Sequence, residues 1–165
     1  MFGKLVAVCL SPAKGTPKKA VDRVLLRPDH GVENDAHAGR WHRQVSLLDY
    51  AKVEAFNARG GAVEHGAFGE NLVVAGYDLR ELPVGSRLQI GPALLEVTQI
   101  GKECHSRCEI FHRVGDCIMP REGIFAKVLV GGEVGPGDDV RLLDQPGEAF
   151  GGAAAELADA AVEAG

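Results

Sequence analysis

The densest chemistry in the chain lies in GKECHSRC, residues 101–108, with a further thiol, Cys117, nine positions on. Three arrangements would use these groups. In the first, Cys104 or Cys108 is a nucleophilic sulfur. Lys102, His105 and Arg107, with the positive end of a following helix, favour its thiolate, and Glu103 and Glu109 oppose it. In the second, Cys104, Cys108, Cys117 and either His105 or His112 form a zinc set. The spacing C-x3-C-x8-C is not that of paired C-x2-C knuckles, and the adjacent Cys104 and His105 are awkward ligands for one ion. In the third, Cys108 and Cys117 form a regulatory disulfide. Against all three stands plain packing, expected for at least one of these thiols.

Two other stretches offer polar groups to a ligand. ENDAHAGRWHRQ, residues 33–44, carries Asp35, His37, His42 and Arg43, suited to acid–base work and anion binding, with glycines that allow close backbone approach. FGENL, residues 68–72, places Glu70 and Asn71 at a strand entrance, where an ordinary turn with a capping asparagine explains them equally well. SPAKGTPKKA, residues 11–20, is a basic loop with Lys14, Lys18 and Lys19, a source of cations for a small anion.

The elements that must position these groups are mostly strands. Residues 2–10 alternate in a β-branched run, 21–27 and 43–48 repeat that character, and Asp49 caps a helix over 50–58 that Gly60 stops. RLQI and ALLEVTQI are strands joined at Gly91-Pro92, and IFAKVLV followed by DDVRLL reads as a hairpin-like pair. LPVGSRLQI is echoed by VGPGDDVRL, which suggests two rim turns entering strands of one barrel. Ser106 and Glu109 fit a capping box, so a short helix is expected up to Gly115, with Cys104 and His105 just before it. The alanine-rich acidic tail, residues 144–165, is compatible with a helix, a frayed end or a contact between copies in a homodimer.

A chain of 165 residues is one domain's worth and needs no disulfide staples. Its net charge of -5 argues against a nucleic-acid partner, which requires a basic face. The apolar runs are strand-sized and the first ten residues do not form a signal peptide, so neither a membrane nor export is expected. Cys9, inside an apolar strand, reads as a buried thiol of a reducing, cytoplasmic protein.

Taken in order, SPAKGTPK, GVENDAHAGRWHRQVSLL, GAFGENLVVAG, LPVGSRLQIGPALLEVTQIGKEC and VGPGDDVRLL resemble a MOSC domain, the module named after the C-terminal part of molybdenum cofactor sulfurases, over residues 2–143. CHSRCEI with CIMPREGIFAKVL is similar to a bacterial subgroup of small MOSC proteins. The resemblance implies a mainly β fold with a few helices, a closed twisted β-barrel like that of pyruvate kinase. It also implies binding of the molybdenum cofactor, a pterin (molybdopterin) bearing a dithiolene and a phosphate.

The family's working cysteine falls on Cys104, as persulfide-carrying sulfur or as metal ligand, with Cys108, Cys117 and His105 beside it. Lys14, Lys18, Asp35, His37, Arg43, Glu70 and Asn71 are then expected to line the pocket. Sulfur would come from a pyridoxal-phosphate-dependent cysteine desulfurase, and a molybdoenzyme would receive the product. Two alternatives are a cofactor-dependent reductase of N-hydroxylated compounds and a zinc-stapled module without activity.

Overall fold

The computed structural model describes residues 2–14, 16–101, 118 and 122–144. In chain order the elements are β1 (Phe2–Leu10), β2 (Lys19–Val21), β3 (Val24–Arg27), β4 (Gly31–Val32), β5 (Val45–Asp49), helix α1 (Tyr50–Ala58), β6 (Leu72–Ala75), β7 (Arg87–Ile90), β8 (Ala93–Ile100), β9 (Ile124–Val130), β10 (Gly132–Val134) and β11 (Asp139–Asp144). A 3-10 turn covers Leu79–Glu81.

Seven strands run in the order β11-β7-β8-β9-β5-β6-β1, and β1 returns to β11 with Phe2 opposite Arg141 and Lys4 opposite Asp139. This closes a barrel and leaves no free edge among the seven. β2 adds to β1 beyond the barrel, and β10, β3 and β4 form a small separate sheet. Leu5, Leu47, Leu72, Leu88, Leu95 and Ile124 fill the main core, each no more than 1% exposed. Among the described residues no helix is long and apolar enough to cross a membrane.

Within the barrel the pair β5–β6 is parallel and the others are antiparallel. A parallel pair needs a crossover, and residues 50–71 provide it through α1. The sequence signals for that helix hold. Asp49 accepts a hydrogen bond from the Ala51 amide at 2.9 Å, and Gly60 follows the last turn with φ +97°. α1 lays Val53 and Phe56 against Leu48, Phe68, Ile118 and Phe125. β5 is consequently buried on both faces, with Val45 and Leu47 inward and Leu48 under the helix.

The expected strand over 21–27 is divided between β2 and β3, and the basic loop ends as β2, not as irregular chain. β9 and β11 do not pair with each other: β5 and β8 occupy both edges of β9, so β11 pairs with β7 and β1 instead. The echoed turns before β7 and β11 do enter neighbouring barrel strands. The expected boundary at residue 143 falls inside β11, and residues 145–165 lie outside the described residues.

A register shift between Val97 and Gln99 leaves Thr98 as an extra residue near the end of β8. Gly101 (φ +68°) then ends that strand, its amide donating to the Gly123 carbonyl at 2.7 Å. Gly101 and Gly123 therefore meet at one mouth of the barrel, between the end of β8 and the start of β9.

Candidate functional site

The loop between β4 and β5 carries the polar stretch 33–44, and its first half is tied to the end of β1. The Ala36 amide donates to the Ser11 carbonyl at 2.8 Å. Asp35 sits beneath, with Oδ1 accepting from the Ser11 amide at 3.0 Å and Oδ2 from the His37 amide at 3.1 Å. Lys18 Nζ reaches Asp35 Oδ1 at 2.8 Å, the two side chains being 1% and 0% exposed. Burial alone would raise the Asp35 carboxyl, but the Lys18 hydrogen bond and charge, with the two amides, hold it below its ordinary value. Lys18 Nζ also lies 3.0 Å from His37 Nδ1.

The second half of the loop lies against the end of β8. Trp41 Nε1 donates to the His37 carbonyl at 2.8 Å. His42 Nε2 meets Gln99 Oε1 at 2.8 Å, and the displaced Thr98 hydroxyl bonds the carbonyls of His42 and Phe125. The Arg43 guanidinium carbon stands 4.7 Å from the Trp41 ring centre and 5.6 Å from that of Phe125. Its Nε is buried with no hydrogen-bond partner among the described residues, and none of the ion pairs there involves Arg43. A cation flanked by aromatic faces and without an ion pair among the described residues is equipped to receive an anion.

Glu70 and Asn71 take a different part. Both are 0% exposed. Asn71 Nδ2 donates to the Cys9 carbonyl at 3.1 Å while Oδ1 accepts from the Ser46 amide at 3.0 Å, so one side chain fastens β6 to β1 and β5. Glu70 Oε1 accepts from the Phe68 amide at 3.1 Å, and Oε2 has no hydrogen-bond partner among the described residues. Burial pushes its carboxyl above the usual range, opposed by the amides of Gly66, Glu70 and Phe68 and by Lys18. Cys9 lies nearby, its thiol pushed up to about 12 by burial and then by Glu70. It is the inert buried thiol that its strand context suggests.

Gly66 seats Lys18 in this cluster. The Lys18 amide donates to the Gly66 carbonyl at 2.7 Å, and a Cβ on Gly66 (φ +93°) would meet the Lys18 carbonyl oxygen at 2.2 Å. Gly66→Ala is expected to cost at least about 1–3 kcal/mol from backbone strain alone, with the displaced Lys18 backbone adding to it. Urea unfolding checks this, and a loss below about 0.5 kcal/mol, the range of an ordinary surface change, contradicts it.

Of the groups singled out in the sequence, the structure thus gathers Lys18, Asp35 and His37, sets Arg43 by the end of β8, and places Glu70 and Asn71 inside the wall. Lys14 stands exposed in the loop after β1. Lys18 has its charge met by Asp35, which leaves Arg43 as the better placed cation. Cys104, His105, Cys108, Cys117, the expected capped helix and any zinc set built on them lie outside the described residues. Among the described residues no group of three or more His, Cys, Asp or Glu side chains could hold a metal ion. Sequence reasoning passed over Trp41 and Phe125, although the only tryptophan of the chain two places before Arg43 was a usable signal.

A groove of about 830 Å³ lies between α1, β2 and residues 63–65, lined in part by Lys19, Tyr50, Asn57 and His65. It includes Lys18 but neither His37 nor Arg43.

Comparison with solved structures finds the same fold in small bacterial proteins. The YuaD protein of Bacillus subtilis superposes with a TM-score of 0.70 at 20% identity, over 85% of this chain and 94% of that one. YiiM of Geobacillus stearothermophilus gives 0.63 at 21%, over 86% and 75%, and YiiM of Escherichia coli gives 0.61 at 18%, over 88% and 72%. No curated protein matches in sequence. The family comparison matches the MOSC domain over residues 34–141, a range that holds Asp35, His37, Arg43 and the Cys104 position. With the closed barrel and that match together, the chain belongs to the MOSC domain family.

Proposed function

We propose that this protein binds the molybdenum cofactor at the barrel mouth, with Arg43 receiving an anionic group and Cys104 serving as sulfur carrier or metal ligand. The observation that carries this reading is the Arg43 guanidinium, fixed between Trp41 and Phe125 without an acidic partner among the described residues. A phosphate-bearing pterin fits such a cation, because a guanidinium offers paired donors to phosphate oxygens. The cofactor supplies the molybdenum and its dithiolene; the chain supplies the cradle.

Cys104 is three residues beyond Gly101, and three residues span at most about 11 Å. The described strand that precedes it, β8, ends at the mouth where Thr98 and Gln99 meet His42 of the 37–43 loop, and this reading has Cys104 and Arg43 share that mouth. The two groups can serve one ligand. In this reading the sulfur donor is a cysteine desulfurase and the recipient a molybdoenzyme.

The test is to purify the protein from a molybdenum-competent host and measure bound pterin, molybdenum, zinc and cyanide-releasable sulfur. Wild type is expected to retain pterin, and Arg43→Gln to weaken it about 10- to 100-fold, the worth of a charge-assisted hydrogen bond or two. Cys104→Ser is expected to abolish releasable sulfur or bound molybdenum. Neither pterin nor releasable sulfur in wild type, or both unchanged in Cys104→Ser, overturns the reading; stoichiometric zinc removed only by denaturation would point to a stapled binding module.

A further inference from the structure

The geometry points to a second binding site, in the groove between α1 and β2, that takes a short extended peptide with free ends. The groove includes neither His37 nor Arg43, so this site is independent of the cofactor reading.

β2 is the last strand of its sheet, with β1 on one side and no strand on the other. Which of its backbone groups face outward follows from β1. The Cys9 amide donates to the Asn71 carbonyl at 2.7 Å and the Cys9 carbonyl accepts from Asn71 Nδ2 at 3.1 Å, so both Cys9 groups point toward β6. Cys9 stands opposite Ala20. In an antiparallel pair, two residues opposite each other either exchange both hydrogen bonds or both turn away. Ala20 therefore turns its N–H and C=O outward. Lys18, two positions earlier, must face the same way, and its amide does donate outward, to the Gly66 carbonyl at 2.7 Å.

That edge is open at one residue. Gly66 covers it at Lys18, and at Asp22 a Cβ on Gly135 would lie 2.7 Å from the carbonyl oxygen, so Gly135 packs there. Between them the N–H and C=O of Ala20 have no partner among the described residues, and Ala20 is exposed and lines the groove. Such a pair can bind one residue of an extended chain, whose own C=O and N–H return both bonds. A strand of a larger partner needs several such pairs, and Gly66 and Gly135 deny them. The groove, about 830 Å³, lies within the range of small-ligand sites, about 300–1,000 Å³.

The walls carry charges of both signs that the chain leaves unspent. Lys19 stands on β2, Glu54 on α1 and Glu64 beside His65, all three exposed and lining the groove. None takes part in an ion pair among the described residues. One cation and two carboxylates suit a ligand that has both a carboxylate and an ammonium, and they disfavour a phosphorylated one. A tripeptide with free ends meets these demands, its central residue on Ala20, its carboxylate toward Lys19 and its ammonium toward Glu54 or Glu64. His65 adds a further unmatched group, since its Nδ1 is buried with no hydrogen-bond partner among the described residues.

Trialanine is the probe, titrated at millimolar concentration into protein carrying nitrogen-15. Binding is expected to shift the Ala20 amide signal and to slow the exchange of that amide with solvent. No change on adding the peptide, or changes that spare Ala20, overturns the site. Ala20→Pro removes the outward N–H and leaves the β1–β2 hydrogen bonds in place, because that N–H makes none of them. It is expected to weaken trialanine about 3- to 10-fold, the worth of one hydrogen bond, read at the neighbouring Lys19 and Val21 amides. Unchanged affinity in a folded Ala20→Pro overturns the edge pairing. If that variant does not fold, the exchange of the wild-type Ala20 amide decides alone.

The charges are read by blocking the peptide ends. Lys19→Gln is expected to weaken trialanine about two- to fivefold and to leave trialanine amide, which lacks the carboxylate, unchanged. Glu54→Gln combined with Glu64→Gln is expected to weaken trialanine similarly and to spare N-acetyl-trialanine, which lacks the ammonium. Losses equal for free and blocked peptides overturn the assignment of the charges. Inorganic phosphate moving the same signals at lower concentration than trialanine overturns the peptide class.

Discussion

Lys18→Met is expected to destabilise the protein by about 3–5 kcal/mol at neutral pH, because it strands Asp35 in a site where the carboxylate is 0% exposed. The loss is that of an uncompensated buried charge, not of a single contact. Lys18→Met combined with Asp35→Asn is expected to recover part of it, since no charge is then left unpaired. Urea unfolding of the three proteins is the measurement, and a Lys18→Met loss below about 1 kcal/mol would sink the account.

The pH dependence has a definite sign. Asp35 is held below its ordinary value of 3.8 in the folded protein, so its contribution is fully present above that value. It is lost as pH falls through the lowered folded value. In Lys18→Met the carboxyl has lost its cation and is desolvated, so its pKa rises and the variant is penalised most at neutral pH. The gap between wild type and variant is expected to narrow on acidification. A gap that widens as the pH falls contradicts this linkage.

Asn71→Asp carries the second large effect. Asn71 Nδ2 donates to the Cys9 carbonyl and its Oδ1 accepts from the Ser46 amide and hydroxyl, all within a fully buried junction of β1, β5 and β6. An ionised aspartate there sets an oxygen against the Cys9 carbonyl, with Glu70 next in sequence. The expected loss is about 3–5 kcal/mol, that of an unpaired buried charge, against about 1–3 kcal/mol for each buried group that Asn71→Ala leaves unsatisfied. Protonation lets the aspartic acid donate to Cys9 again, so the Asp variant is expected to regain stability on acidification and the Ala variant is not. Thermal unfolding at neutral and mildly acid pH separates them; equal shifts for both at every pH would refute the argument.

These two residues also mark where local sequence ceases to inform. Lys18 reads as a free cation of a basic loop, and Glu70 and Asn71 read as either turn or pocket. In the fold Lys18 is spent on Asp35, seventeen positions away, and Asn71 is spent on Cys9, sixty-two positions away. Nothing within a short window distinguishes a lysine that faces solvent from one that faces a carboxylate brought in by another loop. Arg43 shows the converse. Its place in a polar stretch was legible, but the Phe125 ring above it comes from a strand more than eighty positions on.

The sequence by itself determined the mainly β class, the strands β1, β7, β8 and β9, the capped helix α1, the inert Cys9 and the family resemblance. All of these rest on local signals: alternation, a capping carboxylate, a stop glycine and ordered motifs. Only the tertiary structure decided that β9 pairs with β5 and not with β11, that β1 closes the barrel onto β11, and which polar residues face one another. Closure and partner choice depend on pairings between distant segments, where the strand edges left open by earlier pairings select the next partner. The same long-range closure carries β8 past the 37–43 loop and sets Thr98 and Gln99 against His42, and so makes one mouth out of residues that the sequence holds apart.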